Sequence, residues 1–250
     1  MHVSELDTPA LVVDLDILKA NLADMAQYCA SHGLELRPHT KTHKIPAIAG
    51  MQVAAGSRGI TVAKLGEAEV MARAGLQDIL IAYPIVGSVK LARLTALAGT
   101  ARITVSTDSL EVAREISGAA RAAGTTIRLL AEYDAGLHRC GVQTTDALVR
   151  LAQEMSKLPG IDFLGLLFYP GQIRVPPGEQ APVLVMIDER LREAQDKLYH
   201  WGIGPKVVSG GSTPTATRAR PTFGSHSRDA SVLCSRTLSR PGVSTNRIPR

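Results

Sequence analysis

Cysteine, aromatic residues and long apolar runs are all scarce in this sequence. The three cysteines, Cys29, Cys140 and Cys234, lie far apart and form no CxxC pair, which argues against a disulfide framework and against a cysteine zinc site. Aromatic residues make up 4% of the chain, so the core must be built from Ala, Val, Leu and Ile. No apolar run follows a basic start or approaches the length of a membrane span. We therefore expect a cytoplasmic protein without a signal peptide.

Positive charge is concentrated at the end of the chain. Residues 216–250 hold seven arginines and one acid, Asp229, which leaves 21 of the 28 basic and 22 of the 23 acidic residues in 1–215. The part before the tail is therefore almost neutral. A nucleic-acid binder that works through the arginine tail is disfavoured, because no aromatic residues are interleaved and no helical register is present.

Apolar strand-like runs alternate with helical patterns along most of the chain. This alternation predicts a parallel sheet with both faces covered by helices. A (β/α)₈ barrel fits the series best, and a doubly wound open sheet is the alternative. Seven barrel strands are predicted, at 34–40, 59–63, 78–83, 102–106, 126–133, 162–169 and 206–209.

Two segments fall outside this alternation. Residues 10–15 (ALVVDL) read as an extra strand before the first helix at 17–31. Residues 216–250 follow neither a period of 2 nor one of 3.6, and they are rich in Arg, Ser, Thr and Pro, which predicts a disordered basic tail. The sequence thus divides into an incomplete barrel at 1–215 and the tail at 216–250.

The densest polar cluster is LELRPHTKTHK at residues 34–44. In an extended segment Arg37, His39, Lys41 and His43 would point to one face. Neighbouring cations lower the pKa of a lysine amine, which a Schiff-base lysine requires in order to be a free nucleophile. The alternative is a basic surface strand without a site.

Three further polar clusters also follow predicted strands, and the carboxyl ends of barrel strands form the rim where active sites are built. In SGGST, two glycines let successive N–H groups point at one anion, and Ser209, Ser212 and Thr213 add hydroxyl donors. A plain flexible loop is the alternative. A lysine, an arginine and a phosphate cradle together indicate pyridoxal phosphate. The clusters are EYDAGLHRCG at 132–141, YPGQ at 169–172 and SGGSTPT at 209–215.

Several side chains near these clusters have structural explanations. Asp134 and Arg139 would form a salt bridge if Arg139 has no role in the site. Cys140 is expected to pack, because nothing nearby resembles a thiolate site. His138 is expected to be a solvated loop residue, and Glu67 to favour the dipole of its helix.

Four motifs, RPHTKTHK, EYDAGLHRCGV, FYPGQI and VVSGGSTPT, resemble the D-threonine aldolase and D-serine dehydratase-like family. Its members are pyridoxal phosphate enzymes of the alanine racemase barrel type (fold type III). The resemblance runs from about Asp7 to Thr215. It implies that Lys41 is the Schiff-base lysine, with Lys44 as an alternative that is out of phase with the strand face. Further cofactor contacts are implied for Arg139 at the ring oxygen, Tyr169 in the pocket wall, and Ser209, Gly210, Gly211, Ser212 and Thr213 at the phosphate.

The resemblance implies a lyase that cleaves D-3-hydroxy amino acids, such as D-threonine, to glycine and an aldehyde. His39 and His43 are the candidate bases for the β-hydroxyl proton. A divalent metal such as Mn²⁺ acidifies that hydroxyl in the full-length family. The alternatives are β-elimination of D-serine to pyruvate and ammonia, and a non-catalytic pyridoxal phosphate-binding protein.

The family pattern is expected to stop after Thr215. Family members continue with an eighth strand, which carries Arg-Pro-Gly, and with a β-rich domain that holds the metal ligands, pairs with strand 10–15 and helps form the dimer. Here the Arg240-Pro241-Gly242 sequence lacks flanking strand character, and His226 and Asp229 match no family ligand. We therefore expect a truncated or frameshifted chain without the metal ligands, with doubtful dimerisation and with impaired activity.

Overall fold

The computed structural model describes residues 2, 5–218 and 230–232, and its centre is one sheet of eight parallel strands. The strands are short, and β2 and β3 are buried at every residue, as expected of strands that are covered on both faces. They are β1 (Glu35–Leu36), β2 (Ile60–Val62), β3 (Asp78–Ile81), β4 (Arg102–Thr107), β5 (Ile127–Tyr133), β6 (Ile161–Phe168), β7 (Val207–Gly210) and β8 (Ala230–Val232).

The sheet closes into a barrel. Its strand order is β1-β8-β7-β6-β5-β4-β3-β2, and every neighbouring pair is parallel. A bridge between His39 and Thr61 joins the segment after β1 to β2. There the Thr61 N–H donates to the carbonyl of Pro38 and the Thr40 N–H donates to the carbonyl of Thr61, each over 2.8 Å. The predicted (β/α) barrel is thereby confirmed.

Helices cover the outside of the barrel and begin where the sequence provides caps. The carboxylate of Asp14 accepts two N–H groups at the start of the first helix, and the hydroxyls of Ser109 and Thr144 cap two others. None of the helices among the described residues could cross a bilayer. They are α1 (Leu15–Ser31), α2 (Pro46–Ala54), α3 (Leu65–Arg73), α4 (Ser88–Ala98), α5 (Leu110–Ala122), α6 (Thr145–Ser156) and α7 (Ala181–His200), with short 3₁₀ helices at Pro177–Glu179 and Thr213–Arg218.

Apolar side chains pack in two layers. The larger layer lies between the sheet and the helices, and it consists almost entirely of Ala, Val, Leu, Ile and Met. The smaller layer lies inside the barrel, where Leu80, Leu130 and Leu167 are buried against each other. Burial of a leucine contributes about 1.5–3 kcal/mol relative to exposure. The low aromatic content is thus compatible with a filled barrel.

The predicted strand at residues 10–15 is wrong. Residues 10–14 have no regular structure, and α1 begins at Leu15. Leu11 is fully exposed. A strand needs a neighbour for its N–H and C=O groups, and none of the described strands pairs with this segment. The segment therefore lacks the hydrogen bonds to a neighbouring strand that would make it a strand itself.

The prediction of seven barrel strands is also corrected, because residues 230–232 form an eighth strand. Strand β8 pairs with both β1 and β7, each of which a seven-stranded barrel would leave with one unpaired edge. Three residues are too few to produce a visible period, so the sequence pattern could not indicate this strand. Apart from residues 216–218 and 230–232, the tail that was predicted to be disordered lies outside the described residues. The expectations for Arg240-Pro241-Gly242, His226 and Asp229 lie there too.

Candidate functional site

A cavity of about 470 Å³ opens at the carboxyl ends of the strands. This volume is typical of sites for small molecules and cofactors. It brings together residues from the segment after β1, from β5 and the loop that follows it, and from the ends of β6 and β7. The lining residues are His39, Lys41, Ala63, Ala82, Tyr83, Pro84, Glu132, Arg139, Cys140, Leu167, Phe168, Tyr169 and Gly211.

Two cations contact the ring of Tyr169. The Lys41 Nζ lies 5.5 Å from the ring centroid, and the Arg139 Cζ lies 4.8 Å from it. Burial lowers the pKa of the Lys41 amine, the charge of Arg139 lowers it further, and Glu67 partly opposes both effects. A larger share of this amine is therefore unprotonated and nucleophilic at neutral pH than in an ordinary lysine.

His39 lies beside Lys41 as a buried, neutral imidazole. Its Nδ1 accepts the backbone N–H of Lys41 over 3.2 Å. Burial, followed by the positive charge of Lys41, lowers the pKa of His39 to about 3. A group with so low a pKa is uncharged at neutral pH and is a weak proton acceptor in the site without ligands.

The expectation of one basic face from Arg37 to His43 is wrong, because the chain turns after Thr40. Arg37 points to the opposite end of the barrel, where its Nη1 lies 2.8 Å from Asp78 Oδ1. His43 is not among the residues that line the cavity. Its Nδ1 accepts the N–H of Ile45 over 3.0 Å.

Lys44, the alternative Schiff-base lysine, has a separate role. It adopts a left-handed conformation with φ 53°. Its Nζ lies 3.1 Å from Glu67 Oε1. The other oxygen of Glu67 accepts the N–H of Ala63 over 2.8 Å. Glu67 thus holds Lys44 beside the start of α3, and Lys41 is the lysine that lines the cavity.

Arg139 lines the cavity, and the neighbouring carboxylate of Asp134 has other partners. Asp134 Oδ1 accepts the backbone N–H groups of Gly136 and His138, and its Oδ2 lies 2.9 Å from His138 Nδ1. The possible salt bridge between Asp134 and Arg139 is therefore absent from the ion pairs of the described chain. His138 is exposed, as expected for a loop residue, and it is not among the residues that line the cavity.

Gly141 fixes the far end of the same loop. Its φ is 102°, and an added Cβ would overlap the backbone of Tyr133 and Asp134. Its N–H donates to Asp108 Oδ2 over 2.7 Å. The close crossing of these backbones requires glycine, and it places Arg139 and Cys140 at the cavity wall. Cys140 was expected only to pack, so its position in the cavity is a correction.

The SGGST segment reaches the cavity through Gly211, whose φ is 126°. Gly210 packs under Phe168, whose ring an added Cβ would overlap. Ser209 is buried, and its side chain lines a second, smaller cavity inside the barrel. Of the predicted phosphate loop, the glycine turn therefore borders the main cavity, whereas the Ser209 hydroxyl lies elsewhere.

The remaining part of this loop is held by its own hydroxyl groups. The Oγ of Ser212 lies 3.0 Å from the Oγ1 of Thr215, which also accepts the N–H of Ser212 over 3.1 Å. Thr213 is the first residue of the 3₁₀ helix Thr213–Arg218. These contacts fix the turn that follows Gly211.

Glu132 is a cavity residue to which the sequence patterns assign no role. It is buried, and its Oε2 accepts the hydroxyl of Ser106 over 3.1 Å. Burial raises the pKa of Glu132, and Asp108 adds to this effect against Ser106 and Arg139. Its position at the carboxyl end of β5, in the same motif as Arg139, is the signal that would have identified it.

Among the described residues, no three His, Cys, Asp or Glu side chains are grouped as metal ligands.

Comparisons with known proteins agree with this fold. The alanine racemase N-terminal domain family matches residues 13–244, which extends past Thr215, where the family pattern was expected to stop. D-threonine aldolase of Arthrobacter sp is 38% identical over 86% of this chain and 57% of its own length. The 3-hydroxy-D-aspartate aldolase of Paracoccus denitrificans (strain Pd 1222) is 35% identical over 85% of this chain and 56% of its own.

The same relationship is evident in three dimensions. The crystal structure of D-threonine aldolase from Filomicrobium marinum superposes with a TM-score of 0.87 and 34% identity, over 93% of this chain and 63% of that one. The chain thus spans little more than half the length of the curated relatives that it matches. By sequence and by fold, this chain belongs to the alanine racemase N-terminal domain family.

Proposed function

We propose that the protein is a pyridoxal phosphate-dependent lyase that cleaves the Cα–Cβ bond of D-3-hydroxy amino acids. The observation that carries this proposal is the cavity in which Lys41 and Arg139 both contact Tyr169. Its chain is 38% identical to an enzyme named D-threonine aldolase. The substrate class is taken from that name and from the 3-hydroxy-D-aspartate aldolase.

The residues of the cavity fit this cofactor. Lys41 offers an amine with a lowered pKa, and Arg139 offers N–H donors for the ring oxygen. Gly211 borders the cavity in a conformation that favours glycine, and Ser212 and Thr213 follow it as the proposed phosphate contacts. When bound, pyridoxal phosphate supplies an electron sink for the pair released from the broken bond.

The chain supports such a reaction through charge and position. Burial and the charge of Arg139 favour the neutral form of Lys41, and the Lys41 N–H donates to His39 Nδ1, which orients the backbone of this lysine. The ring of Tyr169 gives the cavity an apolar wall. The raised pKa of Glu132 keeps a proton on its carboxyl group over a wider pH range than is usual.

The β-hydroxyl proton needs an acceptor, and we assign that role to His39 ahead of His43, because only His39 lines the cavity. The positive charge of Lys41 is one cause of the low pKa of His39. When Lys41 is neutral this repulsion disappears and His39 becomes more basic. His43 is the second candidate, and burial lowers its pKa as well.

One substrate separates aldol cleavage from elimination. Supplied with pyridoxal phosphate and 3-hydroxy-D-aspartate, an aldolase releases glycine and glyoxylate, whereas a dehydratase releases oxaloacetate and ammonia. We expect glyoxylate here, and acetaldehyde from D-threonine. Oxaloacetate from the same substrate, or pyruvate from D-serine, would contradict cleavage of the Cα–Cβ bond. Bound cofactor without any product would support a non-catalytic cofactor-binding protein.

A further inference from the structure

A second cavity, which we call the basal cavity, lies inside the barrel at the amino ends of the strands. Its volume is about 20 Å³, and its polar lining consists of Arg37, Arg58, Thr104, Arg128 and Ser209. Barrel interiors are usually filled by apolar side chains. Three arginines around one small space therefore require a source of negative charge.

The acidic residues at this end satisfy only part of that requirement. Asp78 is buried, and its two oxygens lie 2.8 Å from Arg37 Nη1 and 3.6 Å from Arg102 Nη2. Arg58 forms an ion pair with Glu35. Asp78 is thus already shared between two guanidinium groups, and Glu35 is engaged by a third.

Arg128 is the arginine of this cavity that forms no ion pair with these acids in the described structure. It is partly buried on β5, and within the described part of the chain it makes no hydrogen bond and no ion pair. Asp162 is near enough to influence it but lies 3.4 Å from Lys206. Burial lowers the pKa of Arg128, with Arg102 and Arg37 adding to the effect against Asp78 and Asp162. A half-buried charge without a direct partner is costly.

Ser209 is the second group without a partner at this cavity. The residue is 1% exposed, and in the described structure its Oγ makes no hydrogen bond. A buried hydroxyl normally donates to or accepts from a neighbour. Guanidinium groups only donate, and a hydroxyl can also donate. The basal cavity therefore presents donors to its centre, as an anion requires.

The size of the cavity restricts the anion. A space of about 20 Å³ is near the minimum that holds one water-sized particle. Phosphate, sulfate and carboxylates are larger than this space. We propose that the basal cavity binds one chloride ion between the Arg128 guanidinium and the Ser209 hydroxyl. Because Ser209 directly precedes Gly210 and Gly211, the ion would fix the base of the loop that borders the main cavity.

Thermal unfolding in matched salts tests this site. We expect the Tm of the full chain to be about 3 °C higher in 300 mM potassium chloride than in 300 mM potassium gluconate, since a ligand of the folded state raises Tm. The variants R128Q and S209A should lose this chloride-specific gain. R150Q, which removes an exposed arginine on α6, is the matched control and should keep it. Equal Tm values in both salts, or an undiminished gain in R128Q and S209A, would overturn the proposal.

Crystals of the unchanged protein give a test that does not depend on how the variants fold. After a bromide soak we expect an anomalous peak between Arg128 and Ser209. Ordered water without anomalous signal would refute the site. A bromide peak without the chloride-specific Tm gain would identify an adventitious ion only. Neither readout involves lyase activity, so failure of the chloride site and failure of the proposed function are distinguishable.

Discussion

The two ends of the barrel differ in how they use the same strands. Strand β5 carries Glu132 to the cavity of about 470 Å³ at the carboxyl end and Arg128 to the basal cavity of about 20 Å³ at the amino end. At the carboxyl end, the loops that hold Lys41 and Arg139 stand away from the strands and leave room for a ligand. At the amino end Arg128 projects from β5 itself, and Arg37 and Arg58, which lie just outside β1 and β2, line the same small cavity.

A cluster of cations is not in itself a catalytic site. At the carboxyl end Lys41 has a lowered pKa, contacts a ring and faces open space. At the amino end Arg37 is tied to Asp78 by a short, buried ion pair. The first arrangement keeps an amine reactive, whereas the second holds strands together. Substitutions at the two ends should therefore have different consequences.

Loss of the Lys41 amine should abolish the chemistry at the carboxyl end and leave the amino end intact. We expect K41A to lower kcat/KM for D-threonine by about 10³-fold or more, because alanine has no amine that could replace the proposed nucleophile. K44A is the matched control, since Lys44 is largely exposed and pairs with Glu67, and it should lose less than about threefold. An equal loss in the two variants would show that Lys41 has no special role.

Loss of Arg37 should act on stability alone. In R37M the buried carboxylate of Asp78 keeps only the longer contact to Arg102, so we expect a loss of about 3 kcal/mol in the free energy of unfolding. The double variant R37M/D78N should recover most of this loss, because the unpaired buried charge is then absent. Urea unfolding of the single and double variants measures the difference. A single variant as stable as the parent would show that the ion pair is not structural.

The order of the elements could be predicted from the sequence, and their ends were placed within about two residues in most cases. Continuous apolar strands and amphipathic helices carry that information locally. The helix predicted at 17–31 begins at Leu15, and the strand predicted at 162–169 is Ile161–Phe168. The predictions for strand β8 and for residues 10–14 were wrong for the same reason, because pairing with distant neighbours decides whether a short segment is a strand.

The site was only partly predictable for a similar reason. Motifs at strand ends identify Lys41, Arg139 and Gly211, because parallel strands bring their carboxyl ends to one rim. The direction of each side chain depends on turns that leave no periodic pattern. Arg37, His43 and Ser209 therefore lie outside the main cavity, and Glu132 enters it without a prediction. Strand β8 lies between β1 and β7, so the barrel is not left open between these two strands. The activity of the chain, and its expected impairment, stay predictions.

The backbone crossing at Gly141 should be sensitive to a single methyl group. We expect G141A to lose about 2 kcal/mol of stability, since its φ of 102° and its contact with the Tyr133–Asp134 backbone both oppose a Cβ. G124A is the control, because Gly124 also has a positive φ of 62° but has open space around it, and it should lose about 1 kcal/mol. Denaturant unfolding compares the two. Similar losses would show that the crossing tolerates a side chain.

The smallest predicted effect is a pH dependence of stability from His39. Its pKa is about 3 in the folded chain against 6.5 for an unperturbed histidine, so below pH 6.5 the unfolded state binds the additional proton. Stability therefore falls as the pH decreases from 6.5 towards 3, by at most about 1.4 kcal/mol per pH unit from this group. We expect the parent protein to lose about 1 kcal/mol more than H39N between pH 6.5 and 5.5. His200, which is exposed at the end of α7 and takes part in none of the ion pairs of the described residues, provides the control variant H200N, which should follow the parent. Parallel curves of stability against pH for the parent and H39N would mean that His39 is solvated and takes up a proton in the folded state. The carboxyl end of the barrel would then lack the dry, neutral imidazole that distinguishes it from the charged amino end.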